Sequence, residues 1–285
     1  MKSLHDQVVV ALLDSKFTVK TMTRCFDVVA RKDGGLMLIK VVEDANSLTG
    51  ERIQEMKHIA TALDASPLII CEKGSATLKD NVVYTRHGMY AFNLPTFLSH
   101  LNSKPLYVMS KKSGITTKIS GDKLRELRQR EGLSLGLLSK KIGVSKRMVV
   151  KYENEDAEIS LQHAVKMHNT IGRHIFKKIE ILSTTAATPA HPSSDIGAKY
   201  EDLGFIVRET RNVPFDVVAK RDHATILTKV GDTIPSDLGN ISAFIGAHDL
   251  AIFRKKKPRN IPALTKEEFL KFDEADELIR FVQEF

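Results

Sequence analysis

The hydrophobic positions near the start of the chain follow a strand pattern first and a helical one afterwards. Phe17 to Met22, Phe26 to Arg31 and Leu36 to Val42 read as β-strands, the last two joined as a hairpin at Gly34-Gly35. From Leu48 to Leu63 the spacing turns helical, with Ile53, Met56, Ile59, Ala60 and Leu63 on one face. Leu4 to Leu13 forms a helix ahead of the strands, strands follow at Pro67 to Cys71 and Val82 to Thr85, and Phe92 to Leu101 closes the region as a helix. A hairpin, a crossover helix and further strands predict a mixed sheet flanked by helices.

The middle of the chain is patterned differently. Leu106-Tyr-Val-Met and Ile115-Thr-Thr-Lys-Ile, separated by Lys111-Lys-Ser-Gly, predict a short hairpin packed onto a helical domain. Beyond it, Leu124, Leu127, Leu133, Leu138, Ile142, Val144, Val149 and Tyr152 fall where three short helices turn them toward one small core. Ser139 puts a small side chain at a helix crossing, Gly143 supplies a sharp turn and Ser145 caps the third helix, while Ser160 to Ile171 makes a closing helix. This spacing resembles the helix-turn-helix domains of the lambda-repressor and Cro class over residues 120 to 172.

The resemblance implies that the third helix lies in the major groove of DNA. Lys146, Arg147, Met148 and Lys151 are then the candidate base readers. Arg bonds guanine N7 and O6 as a fork, Lys does so less rigidly, and Met148 can press on a thymine methyl. Ser145 and Asn154 are better placed for phosphates. One departure stands out: the residue after Ser134, often Gln in phage repressors, is Leu135, followed by Gly136. DNA contacts from the second helix are therefore not expected.

Charge agrees with this reading. Residues 118 to 182 hold fourteen Lys or Arg against eight Asp or Glu, so six of the chain's eight net positive charges lie there. Binding by phosphate neutralisation weakens with salt, at a logarithmic slope of about 0.9 per contact. With 285 residues and 42% hydrophobic content, the chain is large enough for two or three domains. No apolar run approaches a bilayer span and the first residues lack a signal-peptide profile, so a cytoplasmic, nucleoid-associated protein without membrane contact is expected. Cys25 and Cys71 form no ligand pattern and the ten histidines are scattered singly, so neither a metal nor a cofactor is expected.

The two ends of the chain repeat one another. Phe26 to Val41 aligns without a gap on Phe215 to Val230, with nine identities in sixteen positions, and Ile59 to Ile70 resembles Ile241 to Ile252 more weakly. The second copy is shorter and loses regularity after its basic run Arg254-Lys-Lys-Lys-Pro-Arg259. With Asp in one hairpin strand and Lys in the next, the order of elements resembles the PD-(D/E)XK nuclease fold. Those enzymes need two carboxylates to hold a divalent ion and a lysine two residues after the second. Asp27 and Lys40 fill two of these positions, as do Asp216 and Lys229, but the middle ones are Leu38 and Leu227, which cannot ligate a metal. Asp27 and Lys40 are then a structural pair retained with the fold.

The expected fold class is multidomain α+β, with an all-α lambda-repressor-like domain between two copies of a restriction-endonuclease-like α/β/α domain. Residues 1–104 form the first copy, 105–182 the hairpin and helix-turn-helix, and 198–285 the second copy; 183–197, with Ser183-Thr-Thr-Ala-Ala-Thr-Pro-Ala-His-Pro-Ser-Ser-Asp195, is a flexible linker. As a whole the chain resembles a family of archaeal HTH-type transcriptional regulators, through Ile119-Ser-Gly-Asp-Lys-Leu-Arg, Gly132-Leu-Ser-Leu-Gly, Ile142-Gly-Val-Ser, Lys151-Tyr-Glu and the flanking Phe-Asp-Val-Val-Ala segments. The resemblance implies a non-enzymatic regulator that binds double-stranded DNA. Because one recognition helix spans only a few base pairs, a homodimer is expected. The alternatives are a metal-dependent nuclease or repair protein, using Asp27 and Lys40 with a displaced Glu43, Asp44 or Glu55, and an architectural chromatin protein.

Overall fold

The computed structural model describes residues 2–22, 25–182 and 191–285. The chain opens with α1 (Leu4–Asp14), β1 (Thr18–Thr21), β2 (Val28–Lys32), β3 (Gly35–Asp44), α2 (Gly50–Ala62) and β4 (Ser66–Lys73). It continues through β5 (Val82–Arg86), β6 (Met89–Phe92), α3 (Leu94–Leu101), β7 (Val108–Lys111) and β8 (Gly114–Ile119). Next come α4 (Gly121–Arg130), α5 (Leu135–Ile142), α6 (Lys146–Asn154), β9 (Ala157–Ser160) and α7 (Leu161–Ile171). The last part holds α8 (Asp195–Asp202), β10 (Ile206–Glu209), β11 (Val217–Arg221), β12 (Ala224–Val230), α9 (Leu238–Ile245), β13 (His248–Phe253), β14 (Ala263–Thr265), α10 (Lys266–Leu270) and α11 (Ala275–Gln283).

These elements divide into two compact units, one of residues 1–41, 47–68 and 182–285, the other of 42–46 and 69–181. In the first, β1, β2 and β3 form an antiparallel meander in which Val28 pairs with Ile39 and Val29 with Leu38. β10, β11 and β12 form a second meander, Val217 facing Thr228 and Val218 facing Leu227. The two registers coincide residue for residue along the aligned segments, which independent meanders have no reason to do. The first hairpin turns at Asp33 and Gly34, both with positive φ, while Gly35 already pairs with Lys32, so the turn lies one residue earlier than Gly34-Gly35. Two positive φ values in succession suit a type I′ turn, which matches the strand twist.

The C-terminal region stays regular after its basic run, contrary to expectation. Parallel β13 and β14 pair Ala251 with Ala263 and Ile252 with Leu264. β13 also stands beside β12, whose Leu227 faces Asp249 in parallel register. Tyr200, Phe205, Leu250, Phe269 and Leu278 fill the core of this sheet. The Tyr200 hydroxyl lies 2.6 Å from Thr228 Oγ1, which satisfies two buried hydroxyls at once. Residues 183–190 of the expected linker lie outside the described residues. Its last part is not linker: α8 begins at Asp195 behind a Ser194 N-cap, and the Ser193 and Ser194 amides donate to Glu209.

In the second unit, β5 pairs with β6 around a tight turn at His87-Gly88 and runs parallel to β7, which continues antiparallel to β8. The expected hairpin at Val108 to Ile119 is present, and β9, which the hydrophobic pattern does not announce, adds a third strand by pairing Ile119 with Ala157 and Thr117 with Ile159. Because α4, α5 and α6 lie between β8 and β9, that pairing ties both ends of the helical segment together. Ser120 N donating to Ile175 O at 2.8 Å and Lys177 N donating to Lys118 O at 2.9 Å close the same junction.

Candidate nucleic-acid interface

The helical segment packs around Leu124, Leu127, Leu138, Ile142, Val149, Tyr152, Ala164, Met167 and Ile171, with Leu133 and Val144 at the margin. This is the core that the apolar spacing predicts. The turn between α5 and α6 is set by Gly143, with φ of 78°, a backbone shape that costs a residue with a Cβ about 1 kcal/mol or more. Ser145 caps α6 by accepting from Met148 N at 3.1 Å. Ser139 is buried where α5 meets its neighbours and donates to Gly136 O at 2.9 Å.

Two arginines of α4 fix how α6 is held, and neither is evident from the hydrophobic pattern. Arg128 grips Glu153 as a fork, with Nη2 to Oε2 at 2.9 Å, and also donates to Leu133 O at 2.9 Å. Glu153 is only 4% exposed, so this fork, with Arg125 Nε 3.8 Å away, offsets the cost of burying a carboxylate. Arg125 donates to Glu153 O at 3.1 Å and to Asn154 Oδ1, placing a cation against the C-terminal carbonyls of α6, where the helix dipole favours it. The only hint in sequence was one Glu on the inward stripe of α6.

With its inner face locked, α6 presents Lys146, Arg147, Met148, Val150 and Lys151 outward. The structure thus brings together the four side chains expected to read bases and leaves them accessible. Met148 is 40% exposed and Val150 39%, so the outer face of α6 carries apolar as well as charged side chains. Lys146 folds its stem over Gly136, where an added Cβ would come within 2.9 Å of Lys146 Cε. The Leu135-Gly136 pair therefore has a local explanation: Leu135 packs on the helical core and Gly136 leaves room for Lys146. Lys151 makes an exposed ion pair with Glu155 at 3.6 Å, a contact weak enough to break for a phosphate or base. Asn154 lies at the far end of α6 with its carbonyl oxygen taken by Arg125, so much of its role is internal.

The degenerate nuclease positions are equally well defined. Asp27 accepts from Lys40 Nζ at 2.8 Å through one oxygen and from Val41 N at 2.7 Å through the other. Asp216 repeats this with Lys229 Nζ at 2.9 Å and Val230 N at 2.7 Å. Leu38 and Leu227 are buried in the cores, 1% and 0% exposed. The residues present therefore do not fit a divalent ion, because the carboxylate is committed to a lysine and an amide and the second ligand is a buried alkyl group. Among the carboxylates able to substitute, Glu55 accepts from Asn212 Nδ2 and Asp44 from Asn46 N. Among the described residues, no cluster of three or more His, Cys, Asp or Glu forms a candidate metal site. Cys25 and Cys71 are free thiols whose pKa values burial pushes up to about 12, which suppresses the reactive thiolate. No helix among the described residues is long and apolar enough to cross a membrane.

A small helical core that presents an open, basic, capped helix defines a helix-turn-helix DNA-binding protein, here joined to an α/β domain of nuclease type without nuclease ligands. Residues 124–177 match the helix-turn-helix family and residues 1–106 match the PD-(D/E)XK superfamily domain. The chain is 34% identical to a provisionally named HTH-type transcriptional regulatory protein of Archaeoglobus fulgidus, over 99% of this chain and 97% of that protein. Proteins with the same provisional name match at 32% identity in Methanoculleus marisnigri, over 92% of this chain and 90% of that one, and at 27% in Thermococcus gammatolerans, over 91% and 88%. The chain belongs to this archaeal family of HTH-type transcriptional regulatory proteins. No solved structure matches it.

Proposed function

We propose that this protein is a sequence-specific double-stranded DNA-binding transcriptional regulator whose recognition element is α6. The observation that carries the reading is the two-sided construction of that helix. Val149, Tyr152 and Glu153 are buried on one side, and Lys146, Arg147, Met148 and Lys151 are exposed on the other. In this reading Arg147 and Lys146 donate to base edges, Met148 covers a thymine methyl, Lys151 leaves Glu155 for the groove, and the Ser145 hydroxyl, whose oxygen already caps α6, donates to a phosphate. The provisional names of the relatives support regulation of transcription as the purpose of that binding.

The functional form is a homodimer, since two α6 helices about 34 Å apart would read a palindrome with the affinity that one cannot supply. Residues 198–285 are a second, equally degenerate copy of the nuclease-type fold, supported by the shared register and the repeated Asp and Lys pairing. Both copies serve as scaffold, for dimerisation or added DNA contact. Footprinting on genomic fragments tests the reading. A short palindromic protected site is expected, and a monomer that protects all sequences equally would refute it.

A further inference from the structure

We infer that the loop Arg254 to Arg259 is a second DNA contact, one that grips the phosphate backbone of a duplex without reading its bases. The inference rests on the DNA-binding reading above. Five of the six residues are cations, Arg254, Lys255, Lys256, Lys257 and Arg259, and no acid interrupts them. All five are exposed, and among the described residues none of them makes an ion pair.

The loop is shaped by a single carboxylate. Asp232 Oδ1 accepts from the backbone amides of Arg254 and Lys255, both at 2.8 Å, and of Lys256 at 3.4 Å. Convergent amides of this kind form an anion-binding nest. These hydrogen bonds, that of Lys255 foremost, hold the Asp232 carboxyl below its ordinary range. The amides are thereby consumed internally while the side chains are turned to solvent. The backbone from Arg254 to Lys256 is held before a ligand arrives, which lowers the entropic cost of binding. The Glu268 carboxylate, the other acid bearing on the run, is held first by the Thr265 amide and hydroxyl and only then by Lys257 and Lys271.

The repeat within the chain shows that the fold does not require this charge. Continuing the alignment of Ile59 to Ile70 on Ile241 to Ile252, the segment matching Arg254 to Arg259 is Glu72-Lys-Gly-Ser-Ala-Thr77, with one acid and one base. Glu72 and Lys73 there still belong to β4 and the four residues after them carry no charge, so this point of the fold can be nearly neutral. Five like charges within six residues repel one another and destabilise the folded chain, so a polyanionic partner is the physical reason to keep them. The run has no aromatic side chain for unpaired bases to stack on, which disfavours single strands, and no apolar side chain to enter a bilayer. A duplex backbone, with its regular spacing of phosphates, is the occupant that remains.

The test uses the full chain and two duplexes of equal length, one recovered by selection with the wild-type protein and one scrambled, with affinity measured across a range of KCl. Replacing Lys255, Lys256 and Lys257 together with Gln keeps the Asp232 clamp, which uses only backbone amides. The logarithmic salt slope should fall by about 2 to 3, at roughly 0.9 per lost contact. Affinity for both duplexes should fall by the same factor, about tenfold or more near physiological salt, with the selected-to-scrambled ratio preserved. The corresponding triple Arg variant should retain the wild-type slope. If the Gln triple melts early, Arg254→Gln with Arg259→Gln gives a second test, with a slope loss near 2. An unchanged slope in a folded variant, or better competition by single-stranded DNA or phosphatidylserine vesicles than by duplex, overturns the loop contact. A selected-to-scrambled ratio near one in the wild type instead overturns the regulator reading, so the two failures are distinct.

Discussion

The two basic surfaces of this protein differ in what accompanies their cations. On α6, Lys146, Arg147 and Lys151 alternate with Met148 and Val150, on a helix whose inner face is locked by a buried ion pair. In the 254 to 259 run the cations are continuous apart from Pro258, and a single carboxylate gathers the backbone behind them. Mixed chemistry in a fixed geometry can discriminate one base edge from another, because each wrong base leaves a donor or a methyl contact unmet. Uniform charge cannot, because every phosphate is alike. On the reading proposed here, the first surface supplies sequence preference and the second salt-dependent affinity.

The largest expected effect falls on the support of the first surface. Arg128→Ala removes the fork on buried Glu153 and leaves it only the longer ion pair to Arg125 Nε at 3.8 Å, so it should destabilise the helical domain by about 3 kcal/mol, read by thermal or urea unfolding of the full chain. Replacing Arg128 and Glu153 together with apolar residues should recover much of that loss. A cost for Arg128→Ala below about 1 kcal/mol would show that α6 is not held this way. Next, Asp27→Ala strands Lys40 Nζ and the Val41 amide and should cost about 2 to 3 kcal/mol of stability, while DNA affinity stays unchanged at temperatures where the protein is folded. Weakened DNA binding in that folded variant would add a third surface and break the two-way comparison.

Arg147→Ala tests the reading surface itself. It should lower affinity for a selected site by about 1 to 3 kcal/mol and relax preference at one base pair, whereas equal weakening on all sequences would move Arg147 to the phosphates. The smallest effect concerns acid stability in the half that carries the loop. Burial opposes ionisation of Glu209, but hydrogen bonds from Ser193 and Ser194 outweigh it and hold its pKa down at about 2, against an ordinary 4.5. A depressed carboxylate stabilises the fold above its unfolded pKa, and that contribution is lost as pH falls from about 4.5 toward 2. Glu209→Gln should therefore lower stability at neutral pH and flatten the loss on acidification in that window. Parallel pH curves for the two proteins would contradict it.

What the sequence disclosed follows from the range of the interactions involved. The helix-turn-helix was legible because its determinants are local: Gly143 and Ser145 lie within one turn of each other, and the apolar stripe repeats at helical spacing. The missing metal ligands were legible because Leu38 and Leu227 stand at fixed offsets from Lys40 and Lys229. The Arg128 to Glu153 pair was not, because the two meet across 25 residues and a lone Glu on the inward stripe of α6 does not name its partner. The Asp232 clamp spans 22 residues to Arg254 and was hidden for the same reason. β9 and β14 escaped because strands of four and three residues are too short to establish a period, and their pairing comes from partners elsewhere in the chain.

The most direct test of sequence reading by α6 is selection from a library of randomised duplexes, run in parallel with the wild-type chain and Arg147→Ala. A short enriched motif is expected for the wild type, arranged as two half-sites about one helical turn apart, with information lost at one position of each half-site in the variant. Enrichment of no motif by the wild type, or of the same motif with undiminished information by Arg147→Ala, would contradict it.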